Sequence, residues 1–164
     1  MIIKNLNQKQ LLIFLLFASI FALSGAYISQ YIFGMQPCQL CFWQRKPFWA
    51  IIILASLFLT IPYLKKYQNW GIKIAVFLLL INAGIAFYHT GVEQKWFQGL
   101  DSCSATTIKN DSLEDLKMAL ANTKAVRCDT PQFIFLHLSM AAWNVFYCLG
   151  LALIAVGFNR RIKL

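Results

Sequence analysis

The sequence predicts an all-α integral membrane protein, a bundle of four transmembrane helices with a short amphipathic helix in the second outer loop. The first observation is composition, because 59% of the 164 residues are hydrophobic and 13% are charged, against about 45–50% and about 25% in soluble domains. The second is that the apolar residues form four long runs, and the third is the one-sided distribution of basic residues. This composition excludes a typical soluble enzyme, and its aromatic content excludes a disordered chain.

Four apolar runs are long enough to cross a bilayer, which takes about 20 residues. The first run carries no charge, and the second is closed by Lys65 and Lys66. The third reaches the required length when Lys73 extends its side chain to the interface, and the fourth is closed by Arg160 and Arg161. The predicted spans are residues 11–33, 48–64, 72–90 and 133–158, and the predicted outer loops are residues 34–47 and 91–132, all within one membrane domain of residues 1–164.

The basic residues orient these helices. The two termini and the loop between the second and third spans hold eight of the 15 basic residues and none of the six acids. Basic residues in short loops mark the cytoplasmic side, so both termini are predicted inside and the two other loops on a periplasmic-type face. The net charge of +9 is thus mostly a topology signal, and no nucleic-acid partner is needed. The eight residues are Lys4, Lys9, Lys65, Lys66, Lys73, Arg160, Arg161 and Lys163.

The first run has a second interpretation. Lys4 and Lys9, the apolar stretch 11–23 and the small residues 24–26 also resemble a secretory signal with a cleavage site. The apolar run continues to Phe33, which is longer than a signal needs, so retention as the first helix is favoured. Cleavage would leave the later topology unchanged.

The second outer loop is predicted to contain the amphipathic helix. Ser112 is suited to cap it, and Glu114 falls in its first turn, where the helix dipole favours acids. Leu113, Leu116 and Leu120 recur at helical spacing and give it an apolar face. Whether this helix lies in the membrane interface or packs on the outer helix ends is left open by the sequence.

The cysteines separate by topology. Cys38 and Cys41 form a Cys-x-x-Cys pair in the first outer loop, and Cys103 and Cys128 lie in the second. Cys148 falls inside the fourth span, where a packing role is expected. The four loop cysteines are on the side where disulfides persist, and this distribution indicates disulfide chemistry.

The Cys-x-x-Cys pair is suited to thiol exchange, because this motif can lower the pKa of one thiol well below about 8.5. Arg45 follows Cys41 by four residues. If the second helix starts near Arg45, with Pro47 in its first turn, the two side chains share a face and the guanidinium stabilises a thiolate. The alternative for Arg45 is an interfacial anchor.

The same cysteines could instead bind zinc or form a static disulfide. Together with Cys103 and Cys128, the Cys-x-x-Cys pair can form a four-thiolate zinc site. Structural zinc sites usually have two close pairs, so redox chemistry is favoured and no metal is predicted. The Cys103–Cys128 pair is either a static bridge or a disulfide on a mobile loop open to a soluble partner, and spacing does not separate these.

Two pairs on one face of the membrane imply an electron relay. Electrons would enter from a soluble dithiol, pass to the Cys-x-x-Cys pair and then need an acceptor. Phe42, Trp43, Phe48 and Trp49 flank that pair, so a lipid-soluble acceptor such as a quinone fits a pocket at the helix ends. The alternative is that these aromatic residues form an ordinary interfacial belt.

Residues 37–45 (PCQLCFWQR), the paired loop cysteines and the four spans together resemble the disulfide bond formation protein B family, DsbB. Cys128-Asp129 and residues 133–136 and 138–144 are also similar to the start of that family's last helix. The resemblance covers essentially the whole chain. Relatives of vitamin K epoxide reductase share four helices and quinone chemistry, but they carry Cys-x-x-Cys near a later helix.

The resemblance implies a role for each catalytic residue. Cys103 would be attacked by a reduced, periplasmic DsbA-like thioredoxin-fold protein, and Cys128 would be freed. Cys128 would then exchange with Cys38, leaving Cys41 as a thiolate against a bound quinone. Arg45 matches the family's quinone-site arginine.

Three further polar residues fall in the predicted spans. His89, at the outer end of the third span, is the second expected quinone-binding residue, and the alternative is an interfacial histidine satisfied by solvent. His137 and Asn144 in the last span are expected to pack or form hydrogen bonds between helices.

The predicted function is that of a thiol oxidase in the bacterial inner membrane. It would reoxidise a DsbA-like partner and pass the electrons through two cysteine pairs to ubiquinone or menaquinone in the bilayer. The alternative is a non-catalytic membrane scaffold whose outer loops are zinc-bound or bridged by static disulfides. A transporter is disfavoured because no predicted span contains an acidic residue.

Overall fold

The structure, a computed structural model, describes residues 7–99, 127–131 and 133–162. It is mostly helical. A short 3₁₀ segment, Pro62–Tyr67, joins the second and third helices. The four long helices are α1 (Gln8–Tyr31), α2 (Gln39–Thr60), α3 (Gln68–Glu93) and α4 (Met140–Ile162).

Three described helical segments are long and apolar enough to cross a membrane, namely Gln8–Tyr31, Pro62–Glu93 and Met140–Arg161. They agree with an all-α membrane protein. The second helix has an apolar second half, but its first half contains Gln44, Arg45 and Lys46. These three polar residues explain why only part of α2 resembles a membrane span.

The start of α1 is fixed by a capping box. The Asn7 side chain accepts from the backbone N–H of Gln10 at 2.9 Å, and the Gln10 side chain accepts from the backbone N–H of Asn7 at 3.0 Å. Two otherwise unpaired backbone donors are thereby satisfied. The apolar run then continues as one helix to Tyr31.

The second helix begins earlier than the sequence predicts. Cys38 is its N-cap, and its sulfur accepts from the backbone N–H of Cys41 at 3.3 Å. Helix α2 therefore starts six residues before Arg45, and Pro47 lies in its interior rather than in its first turn. The expected start near Arg45 is wrong, because the cysteine side chain supplies the cap that the sequence pattern did not reveal.

The last predicted span also begins differently. Strand β1 (Ile134–Phe135) pairs with strand β2 (Leu138–Ser139) in an antiparallel hairpin, so α4 begins only at Met140. Leu136 and His137 have φ values of 50° and 63°, which is the conformation of a two-residue hairpin turn. His137 is exposed in this turn, and its expected role between helices is wrong.

One apolar core runs through the half of the bundle away from the hairpin. Leucines of α1 and small residues of α3 and α4 belong to this core, while several large apolar side chains remain outside it. Phe17, Phe21, Phe77 and Leu153 are 64–74% exposed, which suits a lipid-facing surface better than water. The buried members include Leu11, Leu12 and Leu15 of α1, Ile51 and Ala55 of α2, Ala75 and Leu79 of α3, and Leu151 and Ala155 of α4.

Two sequence predictions fall outside the described residues. These are the amphipathic helix around residues 112–120 and the position of Cys103.

Candidate active site

The Cys-x-x-Cys pair lies where α2 begins. Cys38 and Cys41 are both free thiols, and their sulfurs are 2.7 Å apart. Cys38 is buried, and Cys41 is partly exposed. One turn of helix separates the two residues, so the helix start itself holds the sulfurs within reach of bond formation.

The two thiols differ electrostatically, and both precede the predicted second span. The hydrogen bond from Cys38 lowers the pKa of Cys41, and the positive charge of Arg45 lowers it further. The same hydrogen bond, together with burial, raises the pKa of the Cys38 thiol. Cys41 is therefore the member of the pair that carries a thiolate, and Cys38 is the one that keeps its proton.

Arg45 is buried beside this pair. Its Nη1 donates to Gln30 Oε1 at 2.6 Å, and its Nη2 donates to the Ala26 carbonyl at 3.4 Å. The guanidinium also lies over the rings of Tyr27 and Phe42, 4.9 and 5.3 Å from their centroids. Because Cys41 and Arg45 are four residues apart in one helix, they share a face as expected. These buried contacts distinguish Arg45 from an exposed interfacial anchor.

His89 is buried, with 4% of its surface exposed, so the alternative of an interfacial histidine satisfied by solvent is wrong. Its Nε2 lies 3.5 Å from Cys38 Sγ, and its Nδ1 lies 2.7 Å from Gln44 Nε2. Asn144 Nδ2 donates to Gln44 Oε1 at 2.7 Å. Asn144 thus connects α4 to α2, as expected of a hydrogen-bonding residue between helices.

This chain of contacts fixes the imidazole tautomer. Since Gln44 Oε1 accepts from Asn144, Gln44 Nε2 is turned toward His89 Nδ1 and donates to it. An imidazole nitrogen that accepts carries no proton, so the ring proton of His89 is on Nε2. The histidine therefore directs an N–H group toward Cys38.

Cys128 lies next to the first pair. It is disulfide-bonded and belongs to a small buried cluster with Cys38, Leu40 and Val92. Its exposed fraction is 1%. The described residues 127–131 thus bring a disulfide sulfur to the same buried region as the Cys-x-x-Cys pair.

A cavity of about 640 Å³ opens beside these groups. Its polar end contains both cysteines of the Cys-x-x-Cys pair with Arg45, His89 and Glu93, and its walls are mostly apolar and aromatic. Small-molecule sites typically have about 300–1,000 Å³ and a few convergent polar groups in an apolar lining. The aromatic wall residues include Phe21, Phe48, Phe133, Trp143, Phe146 and Tyr147.

The cavity fits a quinone by the chemistry of its lining. A quinone ring is flat and apolar, with two carbonyl oxygens that accept hydrogen bonds. The aromatic wall matches the ring, and the Arg45 guanidinium supplies donors at the polar end. Glu93, which lines the cavity, has a buried carboxyl oxygen, Oε2, without a hydrogen-bond partner among the described residues. An unpaired buried polar atom in a lining residue calls for a partner, which a ligand can supply.

The same cysteines are also arranged as metal ligands. One donor atom each from Cys38, Cys41 and His89 lies within 4.8 Å of the others. Cys128 is disulfide-bonded and in that state is not a thiolate ligand. The described residues therefore do not form the four-thiolate zinc site that the sequence allows. They offer two sulfur ligands and one nitrogen ligand.

Sequence reasoning missed Gln44 and Glu93. The predicted third span ended at residue 90, whereas α3 continues to Glu93, so the statement that no span contains an acid is wrong for this helix. Glu93 follows His89 by four residues and therefore shares its helix face, a signal that was present in the sequence. No local pattern could have joined Gln44 to residues of α3 and α4.

Comparison with known proteins gives a consistent result. The family model for disulfide bond formation protein DsbB matches residues 8–158. Disulfide bond formation protein B of Xylella fastidiosa is 30% identical over 77% of this chain and 76% of its own length. The Neisseria meningitidis protein of that name is 29% identical over 86% of this chain and 89% of its own. An uncharacterised Rickettsia prowazekii protein is 32% identical over 87% and 83%. No solved structure gives a significant match.

Proposed function

The chain belongs to the family of disulfide bond formation protein DsbB, and from this premise we propose that it is a quinone-dependent membrane thiol oxidase. Family membership implies a disulfide-generating oxidoreductase. The proposal adds the electron donor, a reduced DsbA-like thioredoxin-fold protein, and the acceptor, ubiquinone or menaquinone. The observation that carries it is the cavity whose polar end contains Cys41 and Arg45.

The thiol steps follow from the positions of the cysteines. The partner's thiolate attacks Cys103 of a Cys103–Cys128 disulfide, and the Cys128 thiolate leaves. Cys128 then attacks Cys38 of the oxidised Cys-x-x-Cys pair, a new S–S bond forms, and Cys41 leaves as a thiolate. The buried cluster that contains both Cys38 and Cys128 supports this exchange.

The leaving thiolate is stabilised at the cavity. A lowered pKa makes Cys41 the better leaving group of its pair. Arg45 and His89 would hold the carbonyl oxygens of the quinone, which, when bound, takes up two electrons and two protons. Apolar walls keep water from the sulfur, so the guanidinium acts on the thiolate at low dielectric.

The membrane topology is part of the proposal. We place the chain in the bacterial inner membrane as a single domain of four spans, residues 1–164, in which residues 48–64 form the span that begins within α2. Both termini would be cytoplasmic and the cysteine loops periplasmic. The two termini and the loop between the second and third spans carry basic residues and no acids, which is typical of cytoplasmic segments. The redox pairs then face the compartment where disulfides persist.

A turnover experiment tests this function. The purified full-length protein is mixed in detergent with a short-chain ubiquinone and a reduced DsbA-like protein, and quinone absorbance is followed. The wild type is expected to consume quinone catalytically, and Cys41→Ser to abolish the reaction. Cys103→Ser is expected to block electron transfer from the partner protein. Absence of turnover with folded wild-type protein would contradict the proposal.

A metal-bound scaffold is the second candidate, and the cluster of Cys38, Cys41 and His89 favours it. Such a site would protect the two thiols from alkylation until a chelator is added, and the protein would carry stoichiometric zinc. The oxidase instead predicts that Cys41 reacts without a chelator and that bound zinc is absent. Elemental analysis and alkylation of one sample separate the two candidates.

A further inference from the structure

Glu93 lies at the end of α3, and its carboxyl side chain is buried. The thiol steps described above give it no role. Its Oε1 lies 3.7 Å from His89 Nε2, and its side chain is 6% exposed. Its carboxyl group also hydrogen-bonds the Ser139 side chain. The second oxygen, Oε2, is buried without a partner among the described residues, and Glu93 lines the cavity beside Cys41 and Arg45.

The surroundings of this carboxyl group disfavour a negative charge. Arg45 already donates to Gln30 and to a backbone carbonyl. Arg127, the second cation of the cavity lining, is paired with Asp129 at 2.6 Å. An ionised buried carboxylate without a paired cation is costly.

The other groups that face Glu93 in the described part of the chain add no free cation. Helix α2 contributes Cys38 and the anionic Cys41, and α3 contributes the neutral donor His89. Ser139 of β2 and Asn144 of α4 are uncharged. A thiolate on Cys41 further disfavours a second negative charge in the same cavity.

His89 is not free to serve as the proton carrier. Its Nδ1 accepts from Gln44, which is itself held by Asn144, so Nδ1 cannot take up a proton unless this chain breaks. Its Nε2 already bears the ring proton and faces Cys38 Sγ and Glu93 Oε1. Glu93 Oε1 thus faces an N–H group at 3.7 Å, whereas Oε2 has no partner among the described residues, so a proton on the carboxyl group is placed on Oε2.

We propose that Glu93 keeps a proton on Oε2 and presents it to the cavity as the donor for a carbonyl oxygen of the bound acceptor. The identity of that acceptor as a quinone rests on the proposed function. When the Cys38–Cys41 bond forms, the Cys38 S–H bond breaks, and two electrons pass from the Cys38 thiol and the Cys41 thiolate to the quinone. The quinone oxygens take up two protons, one from Glu93 and one released by Cys38, and Glu93 is left ionised. A proton from water then restores its protonated state.

The first test needs no quinone. Infrared spectra of the full-length, quinone-free protein at neutral pH are compared with those of Glu93→Gln. The wild type is expected to show the C=O band of a protonated carboxylic acid, and the variant to lack it. Asp115→Asn, which removes a carboxylate that the sequence places in the second outer loop, is expected to keep the band. A wild-type spectrum without this band, or a band that persists in Glu93→Gln, overturns the inference.

The second test separates binding from proton transfer. The side-chain amide introduced by Glu93→Gln can still donate a hydrogen bond but has no transferable proton. In this variant, affinity for a short-chain ubiquinone is therefore expected to stay within about threefold. The single-turnover rate from reduced Cys38–Cys41 should fall about 100-fold, a typical general-acid contribution. Glu93→Asp, which retains the proton, is expected to recover part of that rate.

The pH profile gives the third readout. A general acid must be protonated, so the wild-type rate should fall as pH rises through the pKa of Glu93, and this descending limb should be missing in Glu93→Gln. A variant with the wild-type rate and an unchanged descending limb contradicts the inference. If the wild type fails to reduce quinone at all, the proposed function fails, while the infrared test still decides the protonation of Glu93.

Discussion

The two ends of the bundle are built by the same helices but are stabilised differently. The end near the chain termini is packed by apolar side chains such as Leu15, Ile51 and Leu79, which are at most 1% exposed. The opposite end buries Gln44 and His89 in a connected hydrogen-bond chain. Loss of a contact in the apolar end removes packing energy. Loss of a contact in the polar end leaves another buried polar group without a hydrogen-bond partner. We therefore expect substitutions in the polar end to affect mainly activity and substitutions in the apolar end to affect mainly stability.

The largest contrast is expected between a cysteine in each end. Cys38→Ser should abolish electron transfer, because no intramolecular disulfide can form with Cys41. Cys148→Ser should leave turnover within about twofold, since the hydroxyl can still donate to Asn144 Oδ1 as the thiol does. Quinone consumption in the presence of a reduced dithiol partner measures both. A large loss in Cys148→Ser would show that the chemistry depends on the contact between the apolar core and Asn144 of the polar end.

A cavity in the apolar end should affect stability alone. Leu79 is fully buried among all four helices, so Leu79→Ala is expected to cost about 2–5 kcal/mol of unfolding free energy. Thermal unfolding in detergent measures this cost. Thiol alkylation rates at Cys41 should stay unchanged below the transition, and altered rates there would show that the two ends are coupled.

The electrostatics of the polar end can be tested through pH. The hydrogen bond from Cys38 and, to a smaller extent, the charge of Arg45 lower the pKa of Cys41, so its thiolate persists to lower pH than that of an ordinary thiol. Arg45→Gln should raise that pKa and shift the midpoint of iodoacetamide alkylation to higher pH. Lys46→Gln removes an adjacent but exposed cation and is the matched control. Equal shifts of the alkylation midpoint in both variants would show that Arg45 has no specific effect on Cys41.

The smallest contrast compares two amide contacts. Asn144 donates to Gln44 at 2.7 Å in the polar end, and Asn159 donates to Asn69 at 2.9 Å in the other. Replacement of either asparagine by leucine should cost roughly 1 kcal/mol of stability. Only Asn144→Leu is expected to slow thiol oxidation, by about threefold to tenfold, because it frees Gln44 and the His89 ring. Equal rates in both variants would contradict the role of this chain.

The sequence predicts the helices and the reactive pair well, because both are local signals. Apolar runs mark the helix interiors, and Cys-x-x-Cys places its two sulfurs together by spacing alone. The start of α2 differs from the prediction because Cys38 acts as a cap, a role that ordinary capping preferences do not assign to cysteine. The beginning of α4 differs because the apolar residues 133–139 include a hairpin.

The remaining site residues depend on contacts between distant segments. Gln44, His89 and Asn144 meet only after α2, α3 and α4 have packed, so no sequence window contains their pattern. Glu93 was missed because the predicted span stopped at residue 90, where hydrophobicity falls, while backbone hydrogen bonds continue the helix to residue 93.

The most direct measurement is the stoichiometry of a single turnover. The full-length protein is reduced at Cys38 and Cys41, mixed anaerobically with one equivalent of a short-chain ubiquinone, and quenched with an alkylating reagent. Hydroquinone is then quantified together with the Cys38–Cys41 disulfide peptide. Formation of one hydroquinone for each disulfide is the expected result. Unreduced quinone with both thiols still alkylatable in folded protein would contradict the assignment of this cavity as the site of thiol oxidation.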